Sequence, residues 1–169
     1  MWCVLHCRPG REQEVIDSCK REVPEQVLKD AFVFTYDRMR RYEGEWHMET
    51  KQMFPEYVFL DTEDHPALSR QLEETKWTEP AEKTKQELLR QIDPAEEAFL
   101  RQLCGENHHL EMSRGYIRDG VTYVTQGPLV GMEENIRKID RHKRLARIEV
   151  PFGELEKPLV AGLEIVTKS

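Results

Sequence analysis

Met53-Phe54-Pro55-Glu56-Tyr57-Val58-Phe59-Leu60 is the most apolar stretch in the first half of the chain. Pro55 cannot donate to a strand ladder, so the stretch opens on an edge or a bend, and 57–60 reads as a buried strand. Strict alternation puts Phe59, Tyr57 and Pro55 on one face and Phe54 and Val58 on the other. Apolar residues on both faces allow two readings: a strand buried on both sides, or an exposed groove that takes a protein partner. Residue chemistry alone favours the core, because apolar strands are usually buried.

Upstream, residues 2–7 form a second strand candidate with Cys3, Leu5 and Cys7 on one face. Pro9-Gly10 is a turn. A helix is predicted over 11–22, where Val15, Cys19 and Val23, with Ile16, make an apolar stripe and the charged residues between them face water. The segment 31–36 is β-rich. Glu43-Gly44-Glu45 then reads as the tip of a hairpin whose second arm is 46–52.

Downstream, Asp64 caps a helix carrying Ala67, Leu68 and Leu72. Asp93, Pro94 and Glu96 start another, with Phe99, Leu100 and Leu103 inward and Gly105 as its stop. High helix propensity over 81–92 predicts a helix at 83–91.

Residues 105–113 have no periodicity and read as a linker. Beyond them come short strands at 121–125, 135–140, 145–152 and 163–166. Turn signals separate them: Asp119-Gly120, Gly127-Pro128, Gly131, Gly153 and Gly162. In 145–152, Ala146, Ile148, Val150 and Phe152 alternate inward while Arg147 and Glu149 point out. The expected fold is α+β. A mixed α/β domain over 1–104, an antiparallel sheet with flanking helices, precedes a linker at 105–113 and a small β-barrel over 114–169.

The 169 residues carry 25 Lys/Arg and 32 Asp/Glu, a net charge of −7. Residues 1–112 hold 15 basic and 24 acidic residues, whereas 113–169 hold 10 and 8. Opposite signs predict two modules with different partners, and nucleic acid binding through the overall field is excluded. No apolar run reaches the roughly 18 residues of a membrane helix. The N-terminus has no export pattern, so a cytoplasmic protein without a membrane contact is expected. Cys3, Cys7, Cys19 and Cys104 are then reduced thiols. Cys3-x3-Cys7 around His6 lacks a second ligand pair, so neither metal nor cofactor is expected. The sequence has none of the common nucleotide-binding, hydrolase or metalloprotease signatures, so no enzymatic activity is expected. A thiol-dependent enzyme using Cys3 and Cys7 is the alternative from that class.

Arg137-Lys138-Ile139-Asp140-Arg141-His142-Lys143-Arg144-Leu145-Ala146-Arg147 places six Lys/Arg and one His in eleven residues, at the tip of a strand pair. One reading is phosphate contact with structured RNA, since no aromatic lies within the cluster for base stacking. The other is a solvated loop that protects a sheet edge. Charge alone does not separate them.

Trp2-Cys3-Val4-Leu5-His6-Cys7, Gly10-Arg11-Glu12 and Phe54-Pro55-Glu56-Tyr57-Val58-Phe59-Leu60 resemble the N-terminal (NGN) domain of the NusG family. Asp119-Gly120-Val121-Thr122-Tyr123-Val124-Thr125-Gln126-Gly127-Pro128-Leu129-Val130-Gly131-Met132-Glu133 resembles a KOW motif, and 139–153 with 162–166 completes a KOW barrel. Within the family, the run from Ile139 to Ala146 most resembles the LoaP-type paralogues, specialised antiterminators of some bacteria.

The resemblance implies a monomeric transcription elongation factor that suppresses pausing and termination. Its NGN domain would bind the clamp helices of the largest RNA polymerase subunit, with upstream-fork DNA as a further contact. The family's Phe-Pro-Gly-Tyr motif matches Phe54, Pro55 and Tyr57, and His6 and Phe59 extend that polymerase-binding patch. This moves the reading of the apolar stretch from core to interface. In LoaP-type relatives the KOW domain takes a leader RNA hairpin, which implies RNA-binding roles for Lys138, Arg141, His142, Lys143, Arg144 and Arg147. In a general NusG the KOW domain instead binds termination factor or a ribosomal protein.

Two positions depart from the family pattern. Glu56 replaces the motif's glycine, which changes the rim of the patch, and Glu134 stands where the KOW glycine is expected. If position 134 needs φ > 0, a Glu there costs on the order of 1 kcal/mol.

Overall fold

A computed structural model describes residues 1–74, 89–150 and 159–169. The chain divides into two compact units, Met1–Val33 with Phe54–Glu97, and Phe34–Met53 with Ala98–Ser169.

The first unit is built on a four-stranded sheet. Its strands are β1 (Trp2–His6), β2 (Asp30–Phe32), β5 (Tyr57–Asp61) and β6 (Leu89–Gln91), in the order β2-β5-β1-β6. β1 pairs antiparallel with β5, His6 opposite Tyr57 and Cys3 opposite Leu60. One face carries Cys3, Leu5, Val58, Leu60 and Leu89. These pack with Val15, Ile16 and Cys19 of α1 (Glu12–Glu22) and with Leu68 and Leu72 of α2 (His65–Glu73). Trp2, Val4, Phe32 and Phe59 are buried as well, so β1 is interior on both faces.

Local chemistry sets the helix ends. Val23 is extended at φ −96°, ψ 130°, as a residue before proline must be, and Pro24 thereby stops α1. Asp64 Oδ1 accepts from Ala67 N at 3.0 Å at the start of α2. Asp93 Oδ1 accepts from Ala95 N at 2.8 Å ahead of α3 (Pro94–Cys104), and Gly105 follows α3 at φ 68°. The helix predicted at 83–91 is not borne out at its end. Leu89–Gln91 is β6, paired with Cys3–Leu5, because an open edge of β1 outweighs intrinsic propensity. Residues 83–88 lie outside the described residues.

The second unit holds two sheets. β3 (Thr35–Tyr42) and β4 (Glu45–Gln52) form a hairpin whose Glu43-Gly44 turn has φ 53° and 79°, both positive as a tight two-residue turn requires. β7 (His109–Leu110) adds to β3 in parallel. Within 105–113, read as a linker, Leu110 and Ser113 are thus fully buried.

The five-stranded sheet runs β10 (Ile136–Asp140), β11 (Leu145–Ile148), β12 (Leu159–Lys168), β8 (Ser113–Arg118), β9 (Val121–Gln126). It curls into a half-barrel consistent with a KOW domain. β8 has no counterpart among the expected strands, since its Arg114, Gly115 and Arg118 break the apolar alternation. β11 ends at Ile148 instead of continuing to 152, and Phe152 lies outside the described residues. Ala146 and Ile148 do point inward. Gly162 sits where a β-carbon would come within 2.5 Å of the Asp37 carbonyl oxygen, so β12 backs closely onto β3.

Candidate functional site

The apolar stretch turns at Phe54-Pro55-Glu56-Tyr57, closed by Tyr57 N donating to the Phe54 carbonyl at 3.2 Å. Pro55 takes the second turn position and Glu56 the third, at φ 74°. Glycine adopts this conformation without steric cost; Glu56 holds it with help from both sides. Its N–H donates to Glu12 Oε1 at 2.9 Å, and its carbonyl accepts from Cys7 N at 2.8 Å. Glu12 is buried at the start of α1 as the acceptor for this turn.

The turn also breaks the alternation expected of 54–60. Phe54 lies 5.7 Å from Phe59, ring centre to ring centre, and therefore joins Phe59's side. The five residues expected at a polymerase-binding patch divide. Phe54 and Phe59 are interior, Phe59 fully so, packed with Phe32 and Trp2. His6 and Tyr57 are half-buried and stacked at 5.1 Å, and Pro55 is exposed. The outer layer is His6, Pro55 and Tyr57; the two phenylalanines support it from behind.

The basic residues gather at the β10–β11 turn, Arg141 to Arg144. Asp140 Oδ1 accepts from Lys143 N at 3.0 Å and sets its shape. Lys138 and Arg147 are cross-strand partners on one face of the hairpin, and like charges so placed repel. Lys138, Arg141, Lys143 and Arg147 are exposed, and none has an ion-pair partner among the described residues. His142 is exposed beside them.

Two other cations of the cluster are engaged within the fold. Arg137 pairs with Glu149 and donates to the Glu134 carbonyl at 2.8 Å. Arg144, expected to bind RNA, is held over the Trp46 ring at 4.0 Å and lies 3.6 Å from Glu164 Oε1. Its backbone is left-handed at φ 53°. Glu134 sits in the 3-10 turn Glu133–Asn135 with negative φ, so the missing KOW glycine imposes no strain there.

A feature that sequence reasoning missed lies on β8–β9. Tyr116 and Tyr123 are cross-strand partners with rings 5.1 Å apart and 21° from parallel. Their pairing becomes visible only once β8 is recognised as a strand. An open groove of about 450 Å³ is lined by Val121, Thr122, Ile136, Lys138 and Glu133. Glu133 Oε1 accepts from Val124 N at 3.1 Å, and such backbone amides, its own first, hold the carboxyl below its usual range.

Nothing at Cys3 or Cys7 supports nucleophilic chemistry. Both are fully buried, and burial pushes the thiols up to about 11 and about 12, so they remain protonated. Among the described residues no three His, Cys, Asp or Glu side chains are grouped to hold a metal ion, and no helix is long and apolar enough to cross a membrane.

Residues 1–88 match the sequence model of a family described as "Transcription termination factor nusG". No individually curated protein matches the chain.

Proposed function

The chain belongs to the NusG family of transcription factors, which bind RNA polymerase and are not enzymes, and from that premise we propose that it is a processive antiterminator of the LoaP type. Its first unit binds the clamp helices of RNA polymerase through His6, Pro55 and Tyr57, supported by Phe54 and Phe59. Its half-barrel takes a structured leader RNA hairpin, and the complex suppresses pausing and termination in the cytoplasm.

The carrying observation is the set of four exposed cations on the β10–β11 hairpin, Lys138, Arg141, Lys143 and Arg147. Here Glu149 and Glu164 are taken by Arg137 and Arg144, and the other four cations stay available to phosphates. His142 extends the same surface.

The test is a titration of the full chain with the leader hairpin of the operon beside its gene, and with a scrambled hairpin, at two salt concentrations. Preferential binding that weakens with salt is the expected result. Absence of binding, or of preference, would instead identify a general NusG whose barrel docks termination factor or a ribosomal protein.

A further inference from the structure

The stacked tyrosines supply what the basic cluster lacks, an aromatic surface. We propose that Tyr116 and Tyr123 form a platform on which the bound RNA stacks an unpaired base. The inference rests on RNA recognition by the half-barrel and adds the structural class of RNA: one with an unpaired base next to its stem.

Three observations carry it. First, the pair is reachable from solvent through Tyr123, with Tyr116 half-buried beneath it. Tyr123 is 44% exposed and Val121, on the same face, 50%. Alternation along β8 and β9 puts Tyr116, Arg118, Val121 and Tyr123 together, while Val124 points into the half-barrel.

Second, the face is continuous with the phosphate-binding surface. The groove beside it is lined by Val121 and Thr122 on one side and by Lys138 on the other. Val121 belongs both to this groove and to the tyrosine face, so RNA held at Lys138 lies next to that face.

Third, the charges select nucleic acid and place its parts. Arg118 and Lys138 are exposed with no ion-pair partner among the described residues. Glu133, which lines the same groove as Lys138, keeps its negative charge, held by the amides it accepts. A phosphate is repelled there, whereas a neutral base is not.

The experiment uses the full chain with a synthetic RNA stem–loop, and with the same stem as a blunt duplex. Tyr123→Ala is expected to weaken stem–loop binding roughly 5- to 150-fold, the range that loss of one base–aromatic stack gives. Blunt-duplex binding and the salt slope should stay unchanged, because no phosphate contact is lost. Tyr123→Phe keeps the ring and should bind like the parent. Thermal midpoints of all variants show whether each is folded.

Unchanged stem–loop affinity in Tyr123→Ala, with binding abolished by Lys138→Glu and Lys143→Glu, would overturn the platform and leave RNA recognition standing. No RNA binding by the parent would overturn both. Loss in Tyr123→Ala of binding to a ribosomal protein, with RNA affinity intact, would make the face a protein dock and overturn the proposal.

Discussion

The Arg144 guanidinium lies 4.0 Å from the centre of the Trp46 ring, joining the β10–β11 turn to the β3–β4 hairpin across nearly a hundred residues of sequence. Glu164 approaches the same guanidinium at 3.6 Å. Arg144 is thus a structural cation, whereas Lys138, Arg141, Lys143 and Arg147 are exposed with no ion-pair partner among the described residues.

A double-mutant cycle on Trp46→Ala and Arg144→Ala should show a coupling of about 0.5–1 kcal/mol, the usual worth of a partly exposed cation–π pair. Chemical denaturation of the four proteins measures it. Strict additivity would mean that the contact contributes nothing.

Charge reversal at Lys138, Arg141, Lys143 and Arg147 should abolish leader RNA binding and leave polymerase binding intact. Single neutralisations should each reduce the slope of log K against log salt by roughly 0.7–0.9. Fluorescence anisotropy across a salt series reads both. An unaltered slope would remove these residues from the interface.

Tyr57→Ala and Pro55→Ala should weaken polymerase binding while the chain stays folded and binds RNA. Phe54→Ala and Phe59→Ala behave differently, because both side chains are interior. Each should cost about 3–5 kcal/mol of stability. Thermal unfolding beside a polymerase binding assay separates the two classes; if Tyr57→Ala melts as Phe59→Ala does, the outer layer is core.

Glu56→Gly should raise stability by on the order of 1 kcal/mol, by relieving the left-handed backbone at φ 74°. A fall in the unfolding midpoint would show that the Glu56 side chain offsets its own strain.

The buried thiols predict alkaline sensitivity. Cys3 and Cys7 ordinarily ionise near 9.0, and in the fold only near about 11 and about 12. Above pH 9 the unfolded chain gains charge that the folded chain resists, so stability falls from pH 9 upward until the folded thiols themselves ionise. Below pH 9 these groups leave stability unchanged. Denaturation of the parent and of Cys7→Ala from pH 7 to 10 checks this; equal slopes would contradict it.

Much of the architecture was legible in the chain. The caps at Asp64 and Asp93, the stop at Val23 before Pro24, and the turns at Glu43-Gly44 and Asp119-Gly120 all follow from the preferences of a few adjacent residues. So does the inward alternation of Ala146 and Ile148. The strands β6 and β8 were not legible. β6 has helix-forming residues and β8 lacks a clean alternation, so each depends on the partner strand that pairs with it.

The candidate sites divide in the same way. Sequence alone determined where the cations cluster and which apolar stretch opens on a proline, because residue identity and spacing are local properties. Only the tertiary structure decided which of those groups are free to act. Glu12 reaches Glu56 across 44 positions, Trp46 captures Arg144, and the pairing of β8 with β9 stacks Tyr116 on Tyr123. Each is a contact between residues distant in the chain, and whether a side chain is occupied or available depends on what the fold brings beside it.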